Sequence, residues 1–275
     1  MGTYDTLREY VKMVATGSTN NLILLGNSSI GKTIQTLDVF IELGQKNGED
    51  YILSGGFTTP LDFYHFAYEH RDKTLILDDL AGILTDKRSV AIFKEILWGT
   101  PKRMVHYHTT SDALTAPPEF EFTGKIILIT NLIEGKNSEN TKALLSRAIT
   151  YELVLSRDDI LNVMKDLCQN IVYKDLTLVE KATVLEYIQS ITDETTSELN
   201  LRSLIKSYDI YYHYKKFNND WKKLVSNLFT KDETLVSLKM IITAYSTERE
   251  RIKAFFDATG LRRGSYYLYK RRLNL

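Results

Sequence analysis

The run Gly26-Asn27-Ser28-Ser29-Ile30-Gly31-Lys32-Thr33 sets two glycines, a lysine and a hydroxyl at the spacing G-x-x-x-x-G-K-[ST]. Glycines let a backbone curl until successive N–H groups converge on one anion, and a helix starting at the far end adds roughly half a positive charge there. A lysine at that point reaches terminal phosphate oxygens, and a threonine hydroxyl can ligate the magnesium ion that travels with them. The chemistry is that of gripping a nucleoside triphosphate such as ATP. Lys32 is assigned to the β- and γ-phosphates and Thr33 to Mg²⁺, with Gly26, Asn27, Ser28, Ser29, Ile30 and Gly31 forming the cradle.

A second group follows downstream. Thr74-Leu75-Ile76-Leu77-Asp78-Asp79 reads as an apolar strand closing in two carboxylates. Beside a phosphate loop, such acids meet the metal and the attacking water. Asp78 is assigned to the metal through its water shell, and Asp79 to the water as general base.

These residues need a scaffold that brings two strand ends together. Leu22–Leu25, Thr74–Leu77 and Lys125–Thr130 are short apolar runs, as strands covered on both faces would be. Tyr51–Leu53 and Ile149–Leu155 read as further strands, and helical segments lie between them at Thr33–Leu43, Ser89–Trp98 and Lys142–Arg147. Thr59 followed by Pro60 is a helix start signal. Thr3–Ala15 precedes the first strand with apolar residues at helical spacing. Strands alternating with helices predict an α/β body with a largely parallel sheet and helices on both faces. Beyond Leu155 the strand signals stop. Asp158–Gln169, Thr177–Ile191, Asn200–Tyr211, Trp221–Phe229 and Leu235–Tyr245 read as helices, so an all-α region follows.

Composition narrows the partners. Of 275 residues 43% are hydrophobic and 25% charged, as in ordinary globular proteins, and no uncharged run approaches the ~20 residues that cross a bilayer. Met1–Lys12 has no signal-peptide pattern, so a cytoplasmic location without membrane attachment is expected. The single cysteine, Cys168, excludes an internal disulfide and a cysteine-based zinc site. The zero net charge conceals an asymmetry: residues 1–201 hold 19 Lys/Arg against 28 Asp/Glu, and residues 202–275 hold 16 against 7. A basic C-terminal quarter points to a polyanionic partner, DNA above all.

Taken in order, the loop at Gly26–Thr33 and the acids Asp78-Asp79 resemble the Walker A and Walker B motifs of AAA+ ATPases, with Asp79 one methylene shorter than the usual glutamate. Lys125–Thr130 with Asn131 resembles that family's sensor 1 strand, whose polar tip lies between the two motifs; Asn131 would orient the lytic water. Lys142–Arg147 resembles the segment carrying the arginine finger, so Arg147 is the candidate acting in trans. Leu199-Asn200-Leu201-Arg202 looks like a sensor 2 segment, with Arg202 on the phosphates. The resemblance covers roughly Thr3–Tyr211 and implies a P-loop NTPase (AAA+) domain over 1–155 and a helical lid over 156–211; the charge count and helical pattern add a basic helical region over 212–275. A finger in trans implies head-to-tail homo-oligomers, either a ring, with a hexamer implied by the family, or a helical filament.

Two further segments bear on DNA. Between the acids and the third apolar run, Lys102, Arg103, His106 and His108 occupy a basic turn and a candidate strand, Met104–Thr109. Their placement resembles the pore hairpin of superfamily III helicases and related phage and plasmid replication ATPases, which grips nucleic-acid backbone. At the C-terminus, a helix over Glu250–Ala258, a turn at Thr259-Gly260-Leu261 and a helix over Arg262–Leu273 resemble a helix-turn-helix unit. Arg262, Arg263, Ser265 and Tyr266 would open the recognition helix, and Lys270, Arg271 and Arg272 would contact phosphate. Phe256 stands where such motifs often carry a small residue. The expected function is an oligomeric ATP-hydrolysing motor on DNA, of the replication-helicase type, from a virus or other mobile element and then working in host cytoplasm. The alternatives are a DNA-binding ATP switch that does not unwind (a helicase loader, initiator or transposition regulator) and a protein remodeller.

Overall fold

The computed structural model describes residues 2–56, 59–78, 86–98, 102–109, 113–131, 139–218 and 220–273. The chain divides into two compact units, the first ending at Leu153 and the second beginning at Val154. In chain order the first contains α1 (Asp5–Ala15), β1 (Asn21–Gly26), α2 (Lys32–Glu42), β2 (Tyr51–Gly55), α3 (Pro60–Glu69), β3 (Thr74–Asp78), α4 (Lys87–Leu97), β4 (Met104–His106), β5 (Glu119–Glu121), β6 (Lys125–Thr130), α5 (Glu139–Leu145) and β7 (Ile149–Leu153).

Five of these strands form one parallel sheet in the order β2-β3-β6-β1-β7. All six residues of β1 are buried, because a central parallel strand is covered on both faces. Alternate side chains serve opposite layers. Ile23 and Leu25 join Leu75, Leu77, Ile126 and Leu128 in a core with Phe63 of α3 and Phe93 of α4, whose rings stack at 4.4 Å. Leu22 and Leu24 are equally buried and belong to the other face, where α1 packs on β1, β6, β7 and α2 through Leu7, Val11 and Val14. Thr59 caps α3 as its sequence predicts: its hydroxyl accepts from the Asp62 N–H at 3.1 Å and its own N–H donates back to the Asp62 carboxylate.

The short strands β4 and β5 pair antiparallel outside the main sheet. The segment expected to be extended from Met104 to Thr109 is a strand only through His106; the Tyr107 N–H still donates to the Pro118 carbonyl at 2.9 Å, but Pro118 has no N–H to carry the ladder on. The β5 strand itself has no counterpart in the sequence reading.

The second unit comprises α6 (Arg157–Asn170), α7 (Leu178–Ile191), α8 (Leu201–Phe217), α9 (Trp221–Ser226), α10 (Glu233–Ala244), α11 (Glu248–Thr259) and α12 (Arg263–Arg272). Apart from an isolated bridge between Thr196 and Lys231, its described residues contain no strand pairing. Capping boxes start α6, α7, α8 and α11 at Ser156, Thr177, Asn200 and Thr247, each contributing about 1 kcal/mol. One core joins α6 to α9 around Met164, Val184, Leu204, Tyr208 and Trp221. A second joins α10, α11 and α12 around Leu238, Phe255 and Tyr266. Helix α8 runs on to Phe217, well past Tyr211, because Tyr211, Tyr212 and Tyr214 also pack against the first of these cores. Among the described residues no helix is long and apolar enough to cross a membrane.

Candidate functional site

The loop between β1 and α2 is shaped by backbone that only certain residues tolerate. Gly26 has φ +151°, and a Cβ there would stand 2.7 Å from the Leu153 carbonyl oxygen. Gly31, at φ +86°, forms the N-cap of α2. Between them Ser29 adopts φ +58°, a left-handed conformation that costs a non-glycine residue about 1 kcal/mol. Left-handed residues alternating with right-handed ones turn successive N–H groups to one side, forming an anion-binding nest. Gly26→Ala is expected to displace the β1–β7 contact and weaken nucleotide affinity about 5- to 150-fold, through strain of the order of 1–3 kcal/mol; titration with Mg-ADP measures it.

Lys32 and Thr33 stand at the loop's end. Lys32 is 6% exposed, and its Nζ donates to the carbonyls of Gly26 at 2.9 Å and Asn27 at 2.6 Å. The Thr33 hydroxyl donates to Asp78 Oδ2 at 2.6 Å, across 45 residues of sequence. Strand register explains the meeting. Asp78 lies beside Ile129, and Leu25 beside Thr130, so the tips of β3, β6 and β1 stand in a row with β6 in the middle. Asn131 follows β6 directly and is exposed. Asp79 lies outside the described residues. Arg202 lies in the second unit, exposed on the first turn of α8.

The opposite, amino-terminal end of the sheet holds a cleft of about 650 Å³, bordered by Asn20, Asn21, Trp98, Lys102, Arg103 and Arg147. Arg147 sits two residues before β7 and donates from Nη1 to the Ala143 carbonyl. Trp98, 64% exposed, is the residue here that sequence reasoning passed over. Its signal was an aromatic side chain just beyond the last apolar turn of α4. Asn21 Nδ2 donates to the Leu97 carbonyl at 2.5 Å, while its buried Oδ1 has no partner among the described residues.

The cations of the expected basic hairpin stand among acids and carbonyls. Arg103 turns inward: its guanidinium donates to the carbonyls of Gly124 at 2.5 Å and Ile96 at 3.3 Å and lies over the Phe122 ring at 5.0 Å. Burial lowers its pKa. Lys102 pairs with Glu121 at 2.8 Å. His106 stands between Glu95 and Glu119, 3.4 and 3.6 Å from their carboxylates, with the His108 ring 6.3 Å away. The antiparallel register sets His106 opposite Glu119, so acids remote in sequence offset these cations. Among the described residues no three His, Cys, Asp or Glu side chains cluster as a metal centre. Nearby, burial together with Glu95 and Glu119 raises the Tyr64 hydroxyl to about 12, which keeps it protonated and donating to the Pro117 carbonyl at 2.7 Å.

The C-terminal helices are corrected in part. Helix α11, Gly260 at φ +70° and α12 follow one another at nearly the expected bounds. Tyr266, however, is fully buried, its ring edge-on to Phe255 at 5.7 Å. It is a core residue and cannot touch a partner without unfolding this end of the chain. Phe256 points outward, 54% exposed, so its bulk does not obstruct the helix contact. Lys270 pairs with Glu248 at 3.1 Å and Arg272 with Asp232 at 3.2 Å, both holding helices together. Arg263 lies against Tyr267, one turn along α12, and Ser265 is half-buried. The exposed side chains of Arg262 and Arg271 carry no ion pair or hydrogen bond among the described residues. Tyr266→Ala is expected to cost about 3–5 kcal/mol. Tyr266→Phe should be neutral or slightly stabilising, since the hydroxyl is buried without a partner among the described residues. Urea unfolding followed by circular dichroism separates the two.

The first unit therefore has the α/β fold of P-loop nucleoside triphosphatases, and an all-α region follows it. No protein-family model and no curated protein matches the chain. Solved structures with a similar chain path include AMPPCP-bound DnaA from Aquifex aeolicus, at 17% identity and TM-score 0.49, covering 91% of this chain and 75% of that one. RuvB from Thermotoga maritima is 13% identical with TM-score 0.48, covering 97% and 85%. NtrX from Brucella abortus in complex with ATP is 14% identical with TM-score 0.49, covering 100% and 69%. At these identities the likeness adds nothing about chemistry.

Proposed function

We propose that the protein is an AAA+ ATPase that binds MgATP at the β1–α2 loop, hydrolyses it in head-to-tail oligomers and acts on DNA. The observation that carries the reading is the meeting of Thr33 with Asp78 beside the left-handed loop. A hydroxyl, a carboxylate and a lysine converging on a nest of N–H groups is the donor set a magnesium-bound triphosphate needs. Bound nucleotide supplies the phosphoanhydride; the chain supplies position and charge. Lys32 would neutralise the terminal phosphates, Thr33 and Asp78 would hold Mg²⁺, and Asn131 and Asp79 would orient and deprotonate water. Arg202 is the candidate for the phosphates from the helical region.

Arg147 supports the oligomer. It borders the cleft at the amino end of β1, and the loop begins at the carboxyl end, about 17 Å of strand away. A chain whose arginine stands at one end of its sheet and whose phosphate loop stands at the other is suited to completing a neighbour's site, in a ring or a filament.

Between motor and switch, the pairing of Lys102, Arg103 and His106 favours the switch, because cations already engaged by acids and carbonyls grip a passing backbone poorly. DNA binding then rests on Arg262, Arg263 and Arg271. Replacing Arg263 and Arg271 with alanine should reduce the slope of log affinity against log salt by about 0.9 for each DNA phosphate left without its arginine. The overall test is ATPase rate against protein concentration, with and without single- and double-stranded DNA. Rate per chain should rise with concentration and with DNA. No nucleotide-dependent turnover at any concentration would remove the reading, and strand separation abolished by Lys102→Ala would restore the motor.

A further inference from the structure

Helix α1 reaches the phosphate loop. Tyr4, the N-cap residue of α1, donates its hydroxyl to the carbonyl oxygen of Ile30 at 2.8 Å. Ile30 precedes the second glycine of the loop and is 4% exposed, with its side chain packed close to Gly26. In a trans peptide the carbonyl of one residue and the N–H of the next point in opposite directions. Holding the Ile30 oxygen toward α1 therefore turns the Gly31 N–H away from α1. The Ile30–Gly31 peptide is also the one most able to flip, because glycine accepts either sign of φ at little cost. A flip would exchange the N–H for a carbonyl oxygen on the side where an anion must sit.

Helix α1 is a firm support for such a brace. Leu7, Val11 and Val14 are fully buried, and Arg8 donates to Gln35 at 3.0 Å and pairs with Glu42 at 2.5 Å, both on α2. The tyrosine is thus referenced to the helix that the loop feeds. We propose that Tyr4 is a positioning residue for the phosphate loop, selecting the orientation of the Ile30–Gly31 peptide in which the Gly31 N–H faces bound phosphate. This rests on the nucleotide reading above and extends it to a residue outside the motif.

The test uses the full chain with Tyr4→Phe, which removes one oxygen and leaves the ring. Tyr10→Phe is the control, since Tyr10 lies on the same helix with its ring against Tyr151 at 5.3 Å. Mg-ADP affinity by calorimetry should weaken about 3- to 10-fold in Tyr4→Phe, the usual range for one neutral hydrogen bond, and stay unchanged in Tyr10→Phe. KM for ATP should rise with kcat unchanged. The Gly31 amide resonance, which should move downfield on Mg-ADP binding in the unsubstituted chain, should move less in the variant. Equal affinity and equal amide shifts in Tyr4→Phe would overturn the proposal, as would an equal weakening in Tyr10→Phe, which would assign the effect to packing of α1. If the unsubstituted chain bound neither nucleotide, the nucleotide reading itself would fall and this proposal with it.

Discussion

Arg147→Ala is expected to lower ATP hydrolysis by about 10³- to 10⁵-fold, the range an arginine finger contributes, while Mg-ADP affinity stays within about twofold of the original. The physical reason is where the side chain stands. Arg147 precedes β7 at the amino end of the sheet, and Gly26 opens the loop at the carboxyl end of the neighbouring β1. One chain cannot bring both ends to one phosphate, so removal of the guanidinium leaves the chain's own cradle intact. The decisive arm is mixing. Chains carrying Arg147→Ala hold a complete loop, and chains carrying Lys32→Ala hold a complete arginine. Random head-to-tail assembly of equal amounts restores about one quarter of the composite sites. Recovery of hydrolysis from two inactive preparations, rising with their joint concentration, is the expected result. No recovery, with assembly confirmed by sedimentation, would show that Arg147 does not act across an interface.

Lys32→Ala should abolish measurable hydrolysis and weaken MgATP binding by about 10- to 150-fold, the equivalent of one charge-assisted hydrogen bond worth 1.5–3 kcal/mol. The structure adds a consequence. The Lys32 ammonium donates to the carbonyls of Gly26 and Asn27, so it also ties the two ends of the loop in the nucleotide-free chain. Amide exchange over residues 26–31 should therefore quicken in Lys32→Ala before any nucleotide is added. Thr33→Ala, which leaves that tie in place and removes the hydrogen bond to Asp78, should weaken Mg-dependent binding without that quickening. Hydrolysis preserved in Lys32→Ala would place nucleotide chemistry elsewhere.

Much of the first unit was legible because its signals are local. A buried parallel strand must be continuously apolar, and Leu22–Leu25, Thr74–Leu77 and Lys125–Thr130 are. Thr59-Pro60 announces a capped helix, and the glycines of 26–33 announce a loop with left-handed backbone. The surroundings of Lys102 and His106 were not legible because they are assembled by the fold: Glu121 and Glu119 arrive through antiparallel pairing and Glu95 through packing of α4. Tyr266 was misread for a related reason. Its neighbours on α12 are basic, but the helix turns that one position onto Phe255.

By itself the chain of letters determined the strands of the main sheet, the helices, the phosphate loop and the acidic strand end, since each depends on residues close along the backbone. Only the tertiary structure decided that Arg147 stands at the end of the sheet opposite its own loop, that Glu119 and Glu121 meet His106 and Lys102, and that Tyr4 touches Ile30. Strand order and helix rotation are settled by burial summed over the whole unit, and no single segment carries that sum.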